Sequence, residues 1–196
     1  MTSSEAATDP APIPDDLGRR LAPAEPVSAA DLANTLRVYH DHCRYLNAGW
    51  VDRTPEGHPR IVGTLGISES CYIADTGHFN AVEFNISYNQ LVYVLIAEIV
   101  ARGWDTAFEG WSLADFHRRQ LPDILIHSFQ SRFSTQMDRR AYLGRVWIER
   151  CMRVGDLIRI ESEIEFGVGE AFLAGKQRTS RGSANLAIVP LPTDAN

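Results

Sequence analysis

Hydrophobic and polar positions alternate most clearly in the second half of the chain. From Leu157 to Phe166, the apolar side chains of Ile158, Ile160, Ile164 and Phe166 alternate with mostly charged ones. This period of two is typical of a half-buried antiparallel strand. Further strands are predicted over Asp123 to Ser134 and Leu143 to Met152, and a turn is predicted at Val154-Gly155-Asp156. A last hairpin is expected over about Glu170 to Val189.

The first half of the chain predicts one helix, two strands and a long loop. Ser28 has the spacing of a helix cap, and the helix is expected to run to about His40. Strands are predicted over Gly49 to Asp52 and Arg60 to Ile67, on either side of a turn rich in Pro and Gly. The segment from Ser68 to Phe84 is expected to be extended or looped.

The most apolar segment, Leu91 to Val100, predicts a buried central helix. It is apolar nearly all round, as expected for a helix that is covered on most sides. Ser87 and Gln90 have the spacing of an N-cap and an N3 residue, and Gly103 follows Arg102 as a C-terminal stop. The helix is therefore predicted from Ser87 to Arg102. A second, shorter helix is expected from Ser112 to about Gln120, so the pattern is typical of an α+β fold.

A string of hydrogen-bonding side chains leads into this central helix. Buried polar groups need partners, and a polar cluster beside an apolar wall is typical of a small-molecule site. The cluster predicts that the chemistry of the protein lies at the start of the central helix. Its members are Tyr72, His78, Asn80, Glu83, Asn85, Ser87, Asn89 and Gln90.

Length and composition limit the classes of protein to consider. The chain has 196 residues, 44% hydrophobic and 22% charged, which suits one globular domain, expected at 28–191 between tails at 1–27 and 192–196. The longer tail is expected to be disordered because it is acidic and rich in Ala and Pro. A net charge of −6 argues against nucleic acid as a partner, and no apolar run suggests a membrane span.

Three cysteines, at positions 43, 71 and 151, are too few and too scattered for a disulfide framework. A reducing, cytoplasmic location is therefore expected. The run His40-Asp41-His42-Cys43 has no second ligand cluster at a suitable spacing. We expect neither a metal nor another cofactor.

Several motifs resemble the FcoT-like members of the hotdog-fold thioesterase superfamily, over roughly Ala30 to Val189. The most specific is the run T-G-H-F-N-A-V-E from Thr76 to Glu83. The others are Cys43-Arg44-Tyr45-Leu46, Ser70-Cys71-Tyr72-Ile73, Tyr88-Asn89-Gln90-Leu91, Gly110-Trp111-Ser112 and Ser131-Arg132-Phe133.

The resemblance implies a curved antiparallel sheet around one long central helix. It also implies homodimers or higher homo-oligomers whose active sites form at the subunit interface, over the start of that helix. One branch of the family hydrolyses long-chain acyl-CoA. Another, in secondary-metabolite biosynthesis, adds glycine to the β-carbon of a (2E)-enoyl thioester on an acyl carrier protein (ACP). In the thioesterase interpretation, Tyr72, Asn80 and Asn89 occupy the functional positions.

Both reactions build negative charge on a thioester carbonyl oxygen. Unpaired N–H groups at the start of a helix stabilise such charge, and Asn89, near N2 of the predicted helix, would add a donor. Glycine addition also needs a base for the amine, for which His78 and Glu83 are candidates. It needs a cation for the glycine carboxylate, and Arg132 is the candidate. Ser87 is a candidate substrate contact as well as a cap.

The family resemblance, more than these residues, makes glycine addition the expected activity, and two alternatives stay open. A hydrolase of acyl-CoA or acyl-ACP thioesters needs only a water and a base. A non-catalytic lipid-binding module would use the same groove. Each candidate residue also has an ordinary structural role: a local loop contact for His78, a cap or turn for Asn80 and Ser87, a helix-start charge for Glu83, a core hydrogen bond for Tyr72, and an ion pair for Arg132.

Overall fold

The computed structural model describes residues 16–74 and 77–189. The predicted tail at 192–196 and the first 15 residues of the tail at 1–27 lie outside this part. The helices are α1 (Leu17–Arg20), α2 (Ala29–Leu36), α3 (Ala81–Arg102), α4 (Leu113–Arg119) and α5 (Gly169–Leu173). The strands are β1 (Glu25–Pro26), β2 (Leu46–Arg53), β3 (Pro59–Leu65), β4 (Ile124–Phe133), β5 (Tyr142–Val154), β6 (Leu157–Gly167) and β7 (Ser180–Ile188).

The seven strands form one antiparallel sheet in the order β1-β2-β3-β5-β6-β7-β4. Helix α3 packs on β2, β3 and β5, so the sheet surrounds the long helix as in a hotdog fold. The α+β fold expected from the sequence is confirmed. The alternation in β6 holds as well, because Ile158, Ile160, Ile164 and Phe166 are buried.

Two glycines let α3 lie close to the sheet. Gly63 of β3 and Gly144 of β5 are directly opposite each other across the strand pair. A Cβ atom at either position would lie 2.7 Å from a methyl carbon of Leu91. Removing a side chain where another backbone or helix approaches is a common use of glycine in strands. This pair sets how deeply the middle of α3 sits on the sheet.

The predicted start of the central helix is wrong by six residues. Helix α3 begins at Ala81, and Asn80 is its N-cap. Its side chain accepts from the N–H groups of Val82 and Glu83, and Glu83 accepts in return from the N–H of Asn80. This reciprocal capping box satisfies donors that the helix leaves unpaired. The predicted end is confirmed, because Gly103 caps the helix with φ at +60°.

Helix α3 is long and apolar enough to cross a membrane by length and composition, unlike any other described helix. However, 78% of its apolar window is buried inside the protein. The sheet and the neighbouring helices supply the apolar surroundings that such a helix needs. We therefore assign α3 as the core helix of the fold.

Three other predictions need correction. Residues 16–27 are not a disordered tail, because they contain α1 and a strand that pairs with β2. Helix α2 ends at Leu36 rather than near His40. The predicted last hairpin is the short helix α5 followed by the single strand β7, which lies between β6 and β4 and pairs with both.

Candidate active site

A cavity of about 350 Å³ opens beside the N-terminus of α3. This volume lies within the range of small-molecule sites. Its wall comes from the loop that precedes α3 and from the end of β4 with the residues that follow it. The lining residues are His78, Phe79, Asn80, Phe133, Ser134, Thr135 and Gln136.

Asn80 connects the cap of α3 to a tyrosine at the surface. Its Oδ1 caps the helix, and its Nδ2 donates to the hydroxyl of Tyr72 over 2.7 Å. The Tyr72 side chain is 43% exposed, so its hydroxyl can contact a substrate. Because that oxygen accepts from Asn80, its own hydrogen is directed to another acceptor. Tyr72 is therefore oriented as a hydrogen-bond donor beside the cavity.

His78 is exposed and lines the cavity, two residues before the cap. It follows Gly77, whose φ of +73° is in the left-handed region that favours glycine. The imidazole is the group in the cavity wall best suited to proton transfer near neutral pH. The structure thus brings three predicted site residues together: Tyr72, His78 and Asn80.

Glu83 and Ser87 are not in the cavity wall. Both are fully buried on the inner side of α3. Glu83 completes the capping box, and the Ser87 hydroxyl lies 2.7 Å from both the carbonyl oxygen of Glu83 and the hydroxyl of Tyr142. Burial raises the pKa of Tyr142 well above its ordinary value, so this phenol stays neutral. These contacts give Glu83 and Ser87 structural roles.

Asn89 is also outside this cavity in the single chain. It is the ninth residue of α3, about 12 Å along the axis from the helix start. Its Nδ2 donates to Asn85 Oδ1 over 3.4 Å. The predicted position near N2 depended on a helix that began at Ser87, so that geometry is lost. Asn89 lies instead on the partly exposed side of α3 with Val82, Asn85 and Ile86.

Arg132 points away from the cavity. The next residue, Phe133, contacts Phe79 and Phe84 on the inner side of the sheet. Successive side chains of a strand point to opposite faces, so Arg132 lies on the outer face. There it lines a different cavity of about 170 Å³ with Glu163 and Arg181. Within one chain, Arg132 is therefore not positioned to bind the carboxylate of a glycine in the cavity at the start of α3.

Three polar residues that the sequence analysis missed are in the cavity wall. Ser134, Thr135 and Gln136 follow β4 directly and are exposed. The backbone N–H groups of Ser134 and Thr135 donate to the carbonyl of Thr179, at 2.8 and 3.4 Å, which fixes this segment beside β7. The sequence did contain a signal for them: three polar residues follow directly after Ser131-Arg132-Phe133, a motif that resembles the family.

Aromatic rings form the apolar side of the cavity. The ring centroid of Phe79 lies 4.9 Å from that of Tyr142 and 5.2 Å from that of Phe166. Phe84 packs edge-on against Phe166 at 4.8 Å. Such tilted and edge-on contacts are the favoured aromatic arrangements. The cavity therefore has a rigid apolar base and a polar rim.

This arrangement suits a thioester whose carbonyl oxygen gains negative charge. Tyr72 supplies a hydroxyl donor, and the N–H of Ala81 has no acceptor among the described residues. Donors at a helix N-terminus stabilise a developing oxyanion or enolate. Nowhere in the described part of the chain do three or more His, Cys, Asp or Glu residues group as a metal site would require.

Comparison with known proteins identifies the family. A model described as the FcoT-like thioesterase domain matches residues 34–188. The chain belongs to the FcoT-like thioesterase family. The match runs from within α2 to the end of β7 and so includes every element around the cavity.

Similar FcoT-like proteins carry the name (2E)-enoyl-ACP glycyltransferase. The one from Streptomyces coeruleorubidus is 40% identical over 164 residues, covering 82% of this chain and 96% of the relative. The one from Mycobacterium tuberculosis is 34% identical over 148 residues, covering 72% of this chain and 79% of the relative.

The solved structure of a dehydratase has the same fold as the FcoT-like chain. An inactive mutant of the CurJ dehydratase has a TM-score of 0.53 at 10% identity, covering 91% of this chain and 53% of that one. A thioesterase family protein from Silicibacter pomeroyi has a TM-score of 0.47 at 10% identity, covering 83% of this chain and 98% of that one. At such identities, a likeness carries no information about the reaction.

Proposed function

We propose that the chain is a (2E)-enoyl-ACP glycyltransferase. The observation that carries this proposal is the 40% identity to a relative of that name, over nearly the whole length of the relative. It is supported by a cavity at the start of α3 that is lined by an imidazole, hydroxyl groups and aromatic rings.

The reaction is a conjugate addition. The glycine nitrogen forms a bond to the β-carbon of the enoyl thioester, and the carbon–carbon π electrons move towards the carbonyl oxygen as an enolate. The nitrogen then loses a proton and the α-carbon gains one, which gives a 3-[(carboxymethyl)amino]acyl thioester. The N–H bond of glycine thus adds across the carbon–carbon double bond, and no oxidant or reductant is needed.

Tyr72 and the start of α3 stabilise the enolate in this proposal. The Tyr72 hydroxyl donates to the thioester oxygen while it accepts from Asn80. The N–H of Ala81 adds a second donor, in the positive field of the helix N-terminus. Since the charge on this oxygen grows during the reaction, both donors bind the transition state more strongly than the substrate.

His78 is the proton carrier in this proposal. Its imidazole takes a proton from the glycine nitrogen and returns one to the α-carbon. It lies in the cavity wall two residues before Asn80, whose Nδ2 donates to the Tyr72 hydroxyl. Glu83 is excluded from this step because it is fully buried within the capping box.

The glycine carboxylate binds the polar rim in this proposal. Ser134, Thr135 and Gln136 offer two hydroxyls and one amide in the same cavity wall as His78 and Asn80. Several neutral donors can replace one cation in binding a carboxylate. They take the role that the sequence analysis gave to Arg132.

We further propose that two copies pair through β4. This ten-residue strand is at the end of the sheet, and none of the other described strands pairs with its outer edge. Leu125, Ile126 and Phe133 are exposed along it. Long apolar edges favour pairing with a second strand. Pairing would bring the uncovered side of α3, with Val82 and Asn89, towards the partner subunit. Light scattering should show a dimer, and Ile126→Arg should give monomers; a monomeric parent protein would contradict this.

The test of the activity uses purified protein, a (2E)-enoyl-ACP and isotopically labelled glycine. Mass spectrometry of the intact carrier should show the mass of one added glycine, with the label in the acyl group. Release of free fatty acid without glycine incorporation would instead support the thioesterase alternative. Unchanged thioester in both the presence and the absence of glycine would contradict both activities.

A further inference from the structure

A basic surface lies where β4 ends and β7 begins. We call it the basic corner and define it as Arg132, Lys176, Arg178 and Arg181. Arg132 and Arg181 line the outer cavity of about 170 Å³, and Lys176 and Arg178 line a neighbouring one of about 350 Å³. The carboxylates that line these cavities are Glu163 and Glu165. Four cations thus face two carboxylates, although the whole chain has a net charge of −6.

Two of these cations are held together by the sheet. Arg132 of β4 and Arg181 of β7 are direct cross-strand partners, so their side chains leave the same face of the sheet. Like charges in such a position destabilise a strand pair. Neither guanidinium lies within 4.0 Å of a carboxylate in the part of the chain that the structure describes. The partner of Arg181 on β6 is Glu165, but this carboxylate already forms ion pairs with Arg145 and Arg178. The two guanidinium groups therefore keep a net positive charge.

Several arginines elsewhere in the chain contact a carboxylate directly. Arg60 lies 2.5 Å from Asp52, Arg119 lies 2.5 Å from Asp123, and Arg102 contacts two carboxylates. In the basic corner only Arg178 has such a contact, with Glu165 at 2.5 Å. The three other cations are exposed to solvent. An uncompensated positive surface on an acidic protein favours an anionic partner.

The basic corner is continuous with the candidate active site. Arg132 is followed directly by Phe133, Ser134, Thr135 and Gln136, which line the cavity at the start of α3. Phe133 pairs with Ser180 of β7, and Arg181 is the next residue of that strand. The two sites therefore lie on opposite faces of the same strand end. A partner bound at the corner needs a flexible arm to pass round that end and enter the cavity.

We propose that the basic corner docks the acyl carrier protein that delivers the enoyl group. Arg132 and Arg181 contact the phosphodiester of the phosphopantetheine arm and the carboxylates beside its attachment point. The arm then passes the end of β4 to place the thioester at Tyr72. The inference rests on the proposed glycyltransferase function and adds the surface that recognises the carrier.

The test compares two substrates with the same enoyl group, one on ACP and one on pantetheine, which has no phosphate and no protein. In Arg132→Glu/Arg181→Glu, kcat/KM for the ACP substrate should fall at least about tenfold, mainly through KM, and the loss should shrink at high salt. Activity on the pantetheine thioester should be unchanged. Arg132→Gln/Arg181→Gln should give a smaller loss on ACP.

The control is Arg150→Glu/Arg159→Glu, which reverses two exposed arginines at other positions of the sheet. It should leave both activities unchanged. Melting temperature and oligomeric state should match the parent protein in every variant. An equal loss on both substrates, no loss on ACP, or a loss of the same size in the control would overturn the proposal.

A separate binding measurement keeps this inference distinct from the reaction. Fluorescence anisotropy of labelled phosphopantetheinyl ACP reports docking without chemistry. If the parent protein binds this ACP and the corner variant does not, the docking surface is supported even where no glycine is added. If the parent adds glycine and both proteins bind ACP equally well, the proposed function survives and the docking surface is overturned.

Discussion

Polar residues on the two sides of the α3 N-terminus contribute to the protein in different ways. Tyr72 and His78 lie on the outer side, exposed beside the cavity. Ser87 and Gln90 lie on the inner side, fully buried, with partners in the core. The outer residues are available to a substrate and the inner ones are committed to folding. Side-chain chemistry alone does not separate the two groups, whereas the position of the helix start does.

The largest effect is expected from His78→Ala. Loss of the proton carrier should reduce kcat for glycine addition by about 10³-fold without lowering the melting temperature, because the side chain is exposed. Added imidazole should restore part of the rate. His58→Ala, in the turn between β2 and β3, is the matched control and should keep full activity. A rate within about threefold of the parent would remove His78 from the mechanism.

Gln90→Leu tests the inner side. Gln90 Oε1 accepts from the N–H groups of Tyr45 and Leu46 at 2.8 and 2.9 Å, and Nε2 donates to the carbonyl of Cys43 at 2.6 Å. Leaving these groups unpaired should lower the free energy of unfolding by about 3 kcal/mol. Urea denaturation measures it. The control is Gln177→Leu, which replaces an exposed glutamine and should change stability little. Equal losses of stability in the two variants would show that Gln90 has no special role in folding.

A pair of tyrosines sharpens the comparison. Tyr72→Phe removes the exposed donor and should lower kcat by about 10²-fold with little change in stability. Tyr88→Phe removes a buried hydroxyl that lies 2.9 Å from Ser162. It should cost about 1 kcal/mol of stability and leave kcat unchanged. Steady-state kinetics and thermal denaturation of both variants measure these effects. A fall in kcat for Tyr88→Phe, together with only a loss of stability for Tyr72→Phe, would reverse the assignment.

The smallest effect is expected from Ser87→Ala. This change leaves the buried Tyr142 hydroxyl without its partner at 2.7 Å and should cost about 1 kcal/mol. The rate of glycine addition should stay the same, because Ser87 does not reach the cavity. A fall in kcat larger than the fall in folded fraction would return Ser87 to the substrate-binding group.

The sequence predicted the fold well where local patterns are decisive. The alternation in β6 and the glycine at the end of α3 needed no tertiary information. The start of α3 was ambiguous because two cap signals compete, Asn80 with Glu83 and Ser87 with Gln90. Both pairs have suitable spacing. The choice depends on partners far away in sequence, such as Tyr142 for Ser87, which a local pattern does not reveal.

The candidate site was only partly predictable, again because contacts between distant parts of the chain are not visible in a local pattern. The structure brings Tyr72, His78 and Asn80 together at the start of the helix, and their roles in the reaction stay a prediction. Arg132, the candidate cation for the glycine carboxylate, lies on the outer face of the sheet. Strand alternation from the inward-facing Phe133 would have indicated this position. Ser134 to Gln136 were missed because the order of strands in the sheet, with β4 beyond β7, decides that they lie beside the start of α3. A local sequence pattern does not contain this order.

The hydrogen bonds of Gln90 also have a consequence for the order of folding. They join α3 to Cys43, Tyr45 and Leu46, more than forty residues earlier in the chain. Closing so large a loop costs chain entropy before any contact repays it, so contacts of this kind slow folding. During synthesis, the start of β2 leaves the ribosome long before its partner exists. A fragment that ends before residue 90 should therefore stay unfolded, and the two segments should gain protection from hydrogen exchange together.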